Sequence, residues 1–272
     1  MSQAERLSWG RFFGSEVRLM LGRRRNQIGL AVLAAVPVIM AVAIHFSGST
    51  GNLLGLLSAN GVILPLAAIA VQIAFFLPLA IALVAGDAVA GEANVGTLRY
   101  LLTVPVSRTR LLVVKYATIA LGAVIATTLI AVVGTIAGVV ILGAGPMTTL
   151  SGTELSFAES LGRLAIAVAY ASLAIAAIGA IGLVISTLTE SPVVATITLM
   201  AVIIVAWILE AIEQVSFMHP YLPTHYLSSF TGVLFDPIQW GDMATGAGYY
   251  GAVIVIFWLV AWAHFTTKDV TS

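Results

Sequence analysis

The chain has 272 residues, of which 60% are hydrophobic and only 9% are charged, and its mean hydropathy is +1.07. Soluble domains carry about 25% charged residues, so this composition excludes a water-soluble globular protein and indicates an integral membrane protein in contact with lipid. The formal net charge of +0 provides no overall field to attract nucleic acid, and the absence of cysteine excludes disulfides, thiolate metal sites and cysteine nucleophiles.

The first 26 residues predict a surface helix. Its large apolar residues recur at helical spacing, with Arg11 and Arg18 on the opposite face. They are Trp9, Phe12, Phe13, Val17, Met20 and Leu21. A basic amphipathic helix of this kind lies in the headgroup plane. The alternative is a disordered basic tail, which the interleaved apolar residues disfavour.

Residues 27–272 form the predicted transmembrane domain. A spanning helix needs about 20 mostly apolar residues, and six segments of the sequence meet this requirement. We number them spans 1 to 6: Gln27–Phe46, Gly61–Ala85, Leu111–Leu142, Leu164–Ser186, Val193–Ala211 and Gly248–His264. The expected fold class is therefore all-α, with six transmembrane helices.

The distribution of positive charge predicts the orientation of the spans. Of the 12 Lys and Arg residues, all but Arg163 fall on the side of the N-terminus. Because short loops rich in Lys and Arg stay in the cytoplasm, we expect both termini to be cytoplasmic in a multi-pass protein of the cell membrane.

Span 2 contains residues that break the apolar helical pattern. Pro65 and Pro78 are expected to kink it. Gln72 either lines a substrate pathway or joins neighbouring helices by hydrogen bonds. Both interpretations stay open at this stage.

The segment 86–110, between spans 2 and 3, predicts a short amphipathic helix on the cytoplasmic surface. Asp87 is expected to cap its N-terminus, and Glu92 to lie near the positive end of the helix dipole. Pro105 is expected to end the helix. Gly91-x4-Gly96-Thr97 comes close to a phosphate-binding loop, but it lacks the lysine and the preceding strand. We therefore expect this chain to bind no nucleotide and no other cofactor.

This loop resembles a known family. The run Asp87-x4-Glu92-x3-Gly96-Thr97-Leu98-x2-Leu101-Leu102-x2-Pro105-x2-Arg108-x2-Leu111-x3-Lys115 is similar to the permease subunits of ABC-2 type transporters. The six-span kind, typified by the permease of the nitrous-oxide reductase maturation system and by bacterial drug or sodium exporters, is the most similar. The span number, the topology and the N-terminal surface helix agree with it over the whole chain.

The resemblance implies that the loop is a coupling helix. Such a helix docks on a separate cytosolic ATPase, present in two copies, which binds the ATP and magnesium. The chain would then pair with a second copy or with a homologous permease, and export is more consistent with the resemblance than import. The implied coupling residues are Asp87, Glu92, Gly96, Thr97, Arg99, Pro105 and Arg108.

A different interpretation of the loop is that Glu92 and Arg99 form a solvated face without a partner. If the loop couples to an ATPase, charge reversal at either residue should uncouple ATP hydrolysis from transport without unfolding the membrane part.

The other end of the protein carries two further features. Glu210 and Glu213, at the end of span 5, are three residues apart and are expected to share a helix face. They would bind a cationic substrate, couple its release to a proton, or be ordinary hydrated helix-end acids. Residues 215–247 predict an aromatic- and proline-rich outer hairpin that is re-entrant or interfacial. His219, His225, Asp236 and Asp242 lie in or near it, but their spacing matches no compact ligand set, so we expect no metal site.

The sequence thus predicts the permease subunit of an ATP-driven exporter, which has no enzymatic activity of its own. One alternative is a secondary transporter, which is typically marked by inverted repeats, broken helices and midplane charges; no convincing repeat and no mid-span charge are found. Another is a membrane adaptor that recruits a cytosolic protein, since a docking helix serves both tasks. An intramembrane enzyme is disfavoured because no catalytic set lies within the spans.

Overall fold

The computed structural model describes residues 3–47, 61–94 and 107–267, and this part of the chain is helical almost throughout. The N-terminal surface helix runs over Gln3–Gly22. Five of the predicted spans are helices long and apolar enough to cross a membrane, and span 2 makes a sixth when its bent pair of helices is counted as one span. Their bounds are Arg24–Ser47, Leu64–Ile73 with Phe76–Ala88, Arg108–Ala137, Phe157–Leu188, Pro192–Glu210 and Trp240–Thr267. Span 3 continues as a π-helical turn over Gly138–Leu142.

Span 2 is bent by 57° between its two helices. Proline has no amide N–H, so Pro78 cannot donate the helical hydrogen bond to the carbonyl of Ala74. The bend lies at this carbonyl, and the kink predicted from the prolines is confirmed. Pro65 lies in the first turn of its helix, where a missing N–H costs nothing.

Span 4 is the central helix of the domain. In the most apolar stretch of span 4, 72% of the residues are buried, whereas the share is 22% in the corresponding stretches of spans 1 and 6. Small residues allow the neighbouring helices to approach it: a side chain at Gly182 would lie 2.7 Å from Ala85 of span 2 and from Leu199 of span 5. Spans 1 and 6 therefore lie at the periphery.

The glycine pair Gly134 and Gly138 sets the contact between spans 2 and 3. A Cβ at Gly134 would lie 2.9 Å from Cα of Pro65, and Gly138 faces Gly61 with their backbones in direct contact. Small residues at this spacing are the usual device for close helix packing in membranes. The contact also fixes the register of the two spans.

The connections at the two ends differ from the predictions in several details. At the end that carries the N-terminal arginines, hereafter the arginine-rich end, span 2 is followed by a short helix over Ala90–Asn94. The predicted amphipathic helix of the segment 86–110 falls partly outside the described residues, which omit 95–106. At the opposite end, hereafter the far end, an unpredicted ribbon pairs Met147–Thr148 with Glu154–Leu155. Span 6 begins at Trp240, eight residues before the predicted start.

Candidate functional site

The predicted coupling loop is attached to the rest of the protein by two groups of charged side chains. The first surrounds Asp87, whose carboxylate pairs with both Arg23 and Arg25 at the start of span 1. Asp87 lies inside the second helix of span 2, Phe76–Ala88, one residue before its end. The expectation that it caps a following helix is therefore wrong. It joins the end of span 2 to the start of span 1.

The second group is a triad of Glu16, Lys115 and Glu92. The Lys115 ammonium contacts Glu16 of the surface helix at 2.7 Å and also pairs with Glu92 of the short helix. All three side chains are nearly buried, with exposures of 7% for Lys115, 11% for Glu16 and 12% for Glu92. Burial raises the pKa of the Glu92 carboxyl in spite of the nearby ammonium. Two acidic side chains share the Lys115 ammonium, and Arg23 also acts electrostatically on Glu92.

A hydroxyl group bridges the gap between span 2 and the short helix. Ser186, near the end of span 4, accepts hydrogen bonds from the backbone N–H groups of Val89 and Ala90 at 3.1 and 3.0 Å. It also donates to the carbonyl of Gly86 at 3.0 Å. Backbone groups that the interruption at Val89 would leave unpaired are thus satisfied. The entry to the loop is therefore fixed to span 4.

The exit from the loop is fixed in a similar way. Ser107 caps span 3 by accepting from the N–H of Arg110. The Arg108 guanidinium donates to the carbonyl oxygens of Phe265 and Thr266, at 3.3 and 2.9 Å, in the last turn of span 6. The cation lies where the helix dipole is negative. Arg110 lies 4.6 Å from the ring centroid of Trp9 on the surface helix, a cation–π contact.

These contacts show how two of the predicted coupling residues are held within the chain. Glu92 and Arg108 turn inward, to Lys115 and to the end of span 6, and their contact with a partner protein stays a prediction. Gly96, Thr97, Arg99 and Pro105 lie outside the described residues.

Sequence reasoning missed Glu16 and Ser186, and it did not place Lys115 in a buried triad. The position of this acid between the apolar residues Phe13 and Val17 of the surface helix was the available signal for Glu16.

At the far end, Glu210 and Glu213 do not share a helix face, contrary to the prediction. Span 5 ends at Glu210, and Glu213 begins a separate 3-10 helix over Glu213–Tyr221. The Glu210 carboxylate lies 2.6 Å from Nδ1 of His225. Within the part of the chain that the structure describes, no group of three or more His, Asp or Glu residues is arranged to hold a metal ion.

The segment 211–239, which contains most of the predicted outer hairpin, is attached to its neighbours mainly through its backbone. Arg163 of span 4 donates to the carbonyl oxygens of Val233, at 2.9 Å, and Phe235, and it pairs with Asp236 at 2.8 Å. Three tyrosine hydroxyls donate to further carbonyls of the segment. These are Tyr170 to Tyr226, Tyr249 to Tyr221 and Tyr250 to Pro223.

A mostly apolar cavity of about 440 Å³ lies beneath this segment. Ile63, Leu66 and Ala70 of span 2 form one wall, and Leu150 of the ribbon and Phe230 of the segment lie across from them. No charged side chain is among its described lining residues. The volume is in the range of pockets that hold drug-sized molecules.

Gln72 is the remaining predicted site residue. Its side chain is fully buried, and neither amide atom has a hydrogen-bond partner among the described residues. Among the described residues it therefore forms no hydrogen bond that links two helices. The interpretation that it lines a substrate pathway stays a prediction.

Comparison with known proteins assigns the fold to a family. Residues 21–207 match the model of a family described as "ABC-2 family transporter protein". The match begins at the end of the surface helix and extends into span 5, so it includes Asp87, Glu92, Lys115 and Ser186. No curated protein sequence matches the chain at a significant level.

Proposed function

Because the chain belongs to the ABC-2 family of transporter proteins, we propose that it is the permease subunit of an ATP-driven exporter. The six spans form the substrate pathway together with a second permease, which is either a copy of this chain or a homologous one. A separate cytosolic ATPase, present in two copies, binds ATP and magnesium and engages the loop between spans 2 and 3. The permease itself carries out no ATP chemistry.

The charge distribution supports the orientation that this function needs. Among the described residues, every Lys and Arg except Arg163 belongs to the arginine-rich end, and positively charged loops stay in the cytoplasm. Residues 95–106 then face the cytosol, where an ATPase has access to them. Arg163 and the segment 211–239 lie at the outer surface of the cell membrane.

The attachment of both ends of the loop is the observation that carries the proposal. Its entry is fixed to span 1 by Asp87, to span 4 by Ser186, and to span 3 and the surface helix through Lys115. Its exit is fixed to span 6 by Arg108. Breaking a buried ion pair is far more costly than breaking an exposed one. A displacement of residues 95–106 is therefore transmitted to several spans rather than absorbed by a flexible connection.

ATP binding acts on this arrangement by a population shift. Closure of the two ATPases favours the permease conformation in which their contacts with the loops are best, and a ligand shifts an equilibrium only by its differential affinity for the two states. Because the loop is fixed to several spans, its position differs between the two permease conformations, and the affinity of the ATPases for the loop differs with it. The apolar cavity beneath the segment 211–239 supports a mainly hydrophobic exported substrate.

The test is reconstitution of the full chain with its ATPase in nanodiscs, after co-purification of the two. The wild type should co-purify with the ATPase and stimulate its hydrolysis of ATP. Replacing residues 95–106 by a Gly/Ser linker of equal length should abolish co-purification. Absence of an associated ATPase, or hydrolysis that is indifferent to the permease, would reject the proposal.

A matched pair of variants then tests the attachment itself. Ser186→Ala removes the bridge to Val89 and Ala90, and it should retain ATPase binding while losing stimulation several-fold. Thr187→Val removes the adjacent buried hydroxyl, which bonds only within its own helix, to Val184. This control should behave as the wild type. Equal effects of the two substitutions would show that the bridge is not specifically required.

The bend in span 2 favours a second candidate function, a secondary transporter, because broken helices near the membrane centre are typical of that class. Such a protein would move solute down an ion gradient in proteoliposomes that contain the permease alone. The proposed exporter would need both the ATPase and ATP. A membrane adaptor would bind the ATPase but move no solute under either condition.

A further inference from the structure

Three polar side chains lie near the middle of their spans. They are Gln72 of span 2, Thr127 of span 3 and Ser172 of span 4, and all three are buried. The hydroxyls of Thr127 and Ser172 lie 2.5 Å apart and form a hydrogen bond between their spans. Polar groups at this depth are costly unless they are paired. We call these residues the midplane polar layer.

The packing of spans 2 and 3 places Gln72 at the depth of Thr127. Gly138 lies against Gly61, and Gly134 lies against Pro65. The two spans are therefore antiparallel, and each step of four residues along span 2 matches a step of four residues in the reverse direction along span 3. Continued along the antiparallel pair, this register sets residue 72 opposite residue 127. On its helix, Gln72 also shares the buried face with Pro65, the face that packs against span 3.

Among the described residues the amide of Gln72 has no hydrogen-bond partner, which makes the observed conformation less stable than it would be with an apolar side chain. Leaving a buried donor and acceptor unsatisfied is unfavourable, whereas an apolar group of the same shape carries no such cost. Gln72 lies two residues before Ala74, at the bend of span 2. An unsatisfied amide beside a bend is understandable if the amide is satisfied in a second conformation of that helix.

We propose that Gln72 is a positioning residue for transport, and that straightening of span 2 at Ala74 and Phe75 brings its amide into hydrogen bonds with the hydroxyls of Thr127 and Ser172. In the bent form the amide has no partner within the described ranges, while the carbonyl of Ala74 accepts a hydrogen bond from Trp207 of span 5. The bent form satisfies the Ala74 carbonyl, and the straight form satisfies the Gln72 amide. Because each form satisfies one of the two groups, the two forms are close in free energy. The link to transport rests on the proposed function; the two conformations do not.

Thermal unfolding of the full chain alone gives the first test. Gln72→Met, which is close in size and has no hydrogen-bonding group, should raise the apparent Tm by about 2–4 °C. Ile69→Met, on the same buried face, is the control and should change it little. A fall in Tm for Gln72→Met, or failure of this variant to fold, would show that the amide stabilises the observed state and would overturn the proposal.

A distance measurement gives the second test. The chain has no cysteine, so spin labels can be attached at cysteines introduced at two half-buried positions, Ile63 and Leu83, one in each part of span 2. Twenty helical residues span about 30 Å when straight, and the 57° bend shortens this to about 26 Å. The otherwise wild-type chain in nanodiscs should show both distances, and Gln72→Met should lose the longer one.

Variation of the proposed partners completes the test. Thr127→Val combined with Ser172→Ala should also deplete the longer distance, and adding Gln72→Met to this pair should have no further effect. A single distance in the wild type, or a distribution that Gln72→Met leaves unchanged, would refute the proposal.

These measurements need no ATPase, so they are separable from the test of the exporter assignment. Addition of the ATPase with ATP should change the ratio of the two distances if the exporter assignment is correct. If both distances are present and respond to Gln72→Met but not to ATP, the hinge is upheld and the exporter assignment fails.

Discussion

The indole N–H of Trp207 in span 5 donates a hydrogen bond to the carbonyl oxygen of Ala74 in span 2, at a distance of 3.1 Å. Pro78 cannot supply the usual helical donor for this carbonyl, so a residue more than a hundred positions away supplies it instead. This contact satisfies a backbone group that lipid could not satisfy. It also holds span 5 against the bend of span 2.

Trp207→Phe should therefore destabilise the permease by about 1–3 kcal/mol, because the Ala74 carbonyl loses its donor inside the membrane. Differential scanning fluorimetry of the purified chain measures the change. Trp258→Phe is the matched control, since Trp258 is also half-buried. Pro78→Ala restores an N–H four residues after Ala74, so it should rescue much of the loss in the Trp207→Phe background. Additive losses in the double variant would contradict this explanation.

Lys115→Met should be strongly destabilising, by about 3–5 kcal/mol, because it leaves the carboxylates of Glu16 and Glu92 buried without their cation. The same unfolding measurement applies. Replacing both acids by Gln in the Lys115→Met background should recover most of the stability, since the uncompensated charge is then gone. If Lys115→Met alone retained wild-type stability, the triad would not be buried as described.

The triad also changes what is expected of charge reversal at Glu92. The sequence predicted uncoupling without unfolding, whereas Glu92→Lys places a second cation against Lys115 at a nearly buried position. We now expect it to lower the stability of the membrane part itself. Size-exclusion chromatography and the unfolding temperature report this directly. Normal stability with lost coupling would restore the earlier expectation.

The raised pKa of Glu92 predicts a pH dependence with a definite sign. Burial raises the pKa above its usual value of 4.5, so the folded protein holds a proton that the unfolded chain releases. The stabilisation is complete below that value and is lost as the pH rises through the folded-state pKa. The wild type should therefore lose stability relative to Glu92→Gln on going from pH 4.5 toward neutrality. A constant difference between the two proteins over this range would contradict the shift.

Arg163→Met should release the segment 211–239, because three of its contacts are lost together. A cysteine at Leu222, which is buried, should then react faster with a polar maleimide. Asp236→Asn removes the charge of only one partner and leaves the two carbonyl contacts in place, so its effect should be much smaller. If the two variants label at the same rate, the ion pair rather than the backbone contacts holds the segment.

The spans could be predicted from the hydrophobicity and length of the apolar segments. Apolar runs identify six spans because nothing else can satisfy the backbone in lipid, and Pro78 marked the bend because of its missing N–H. The charged contacts of the loop could not be derived in this way. Lys115 meets a carboxylate 99 positions away, and Ser186 meets an amide 97 positions away. Such pairs depend on which helices are neighbours, and the hydropathy pattern does not show this.

The two-stranded ribbon was missed for a different reason. Strands of two residues are too short to show an alternating pattern. The prediction that Glu210 and Glu213 share a helix face was wrong because span 5 ends at Glu210. Hydropathy places the end of a helix only to within a few residues.

The tyrosine and arginine contacts to the segment 211–239 fall mainly on backbone oxygens, which every amino acid provides. Substitutions in the segment therefore need not loosen its attachment, provided that the chain length and path are kept. This region can accumulate changes in shape and polarity over evolutionary time while the helices that hold it stay the same. Among related permeases we accordingly expect Arg163 and the three tyrosines to vary less than the residues they hold.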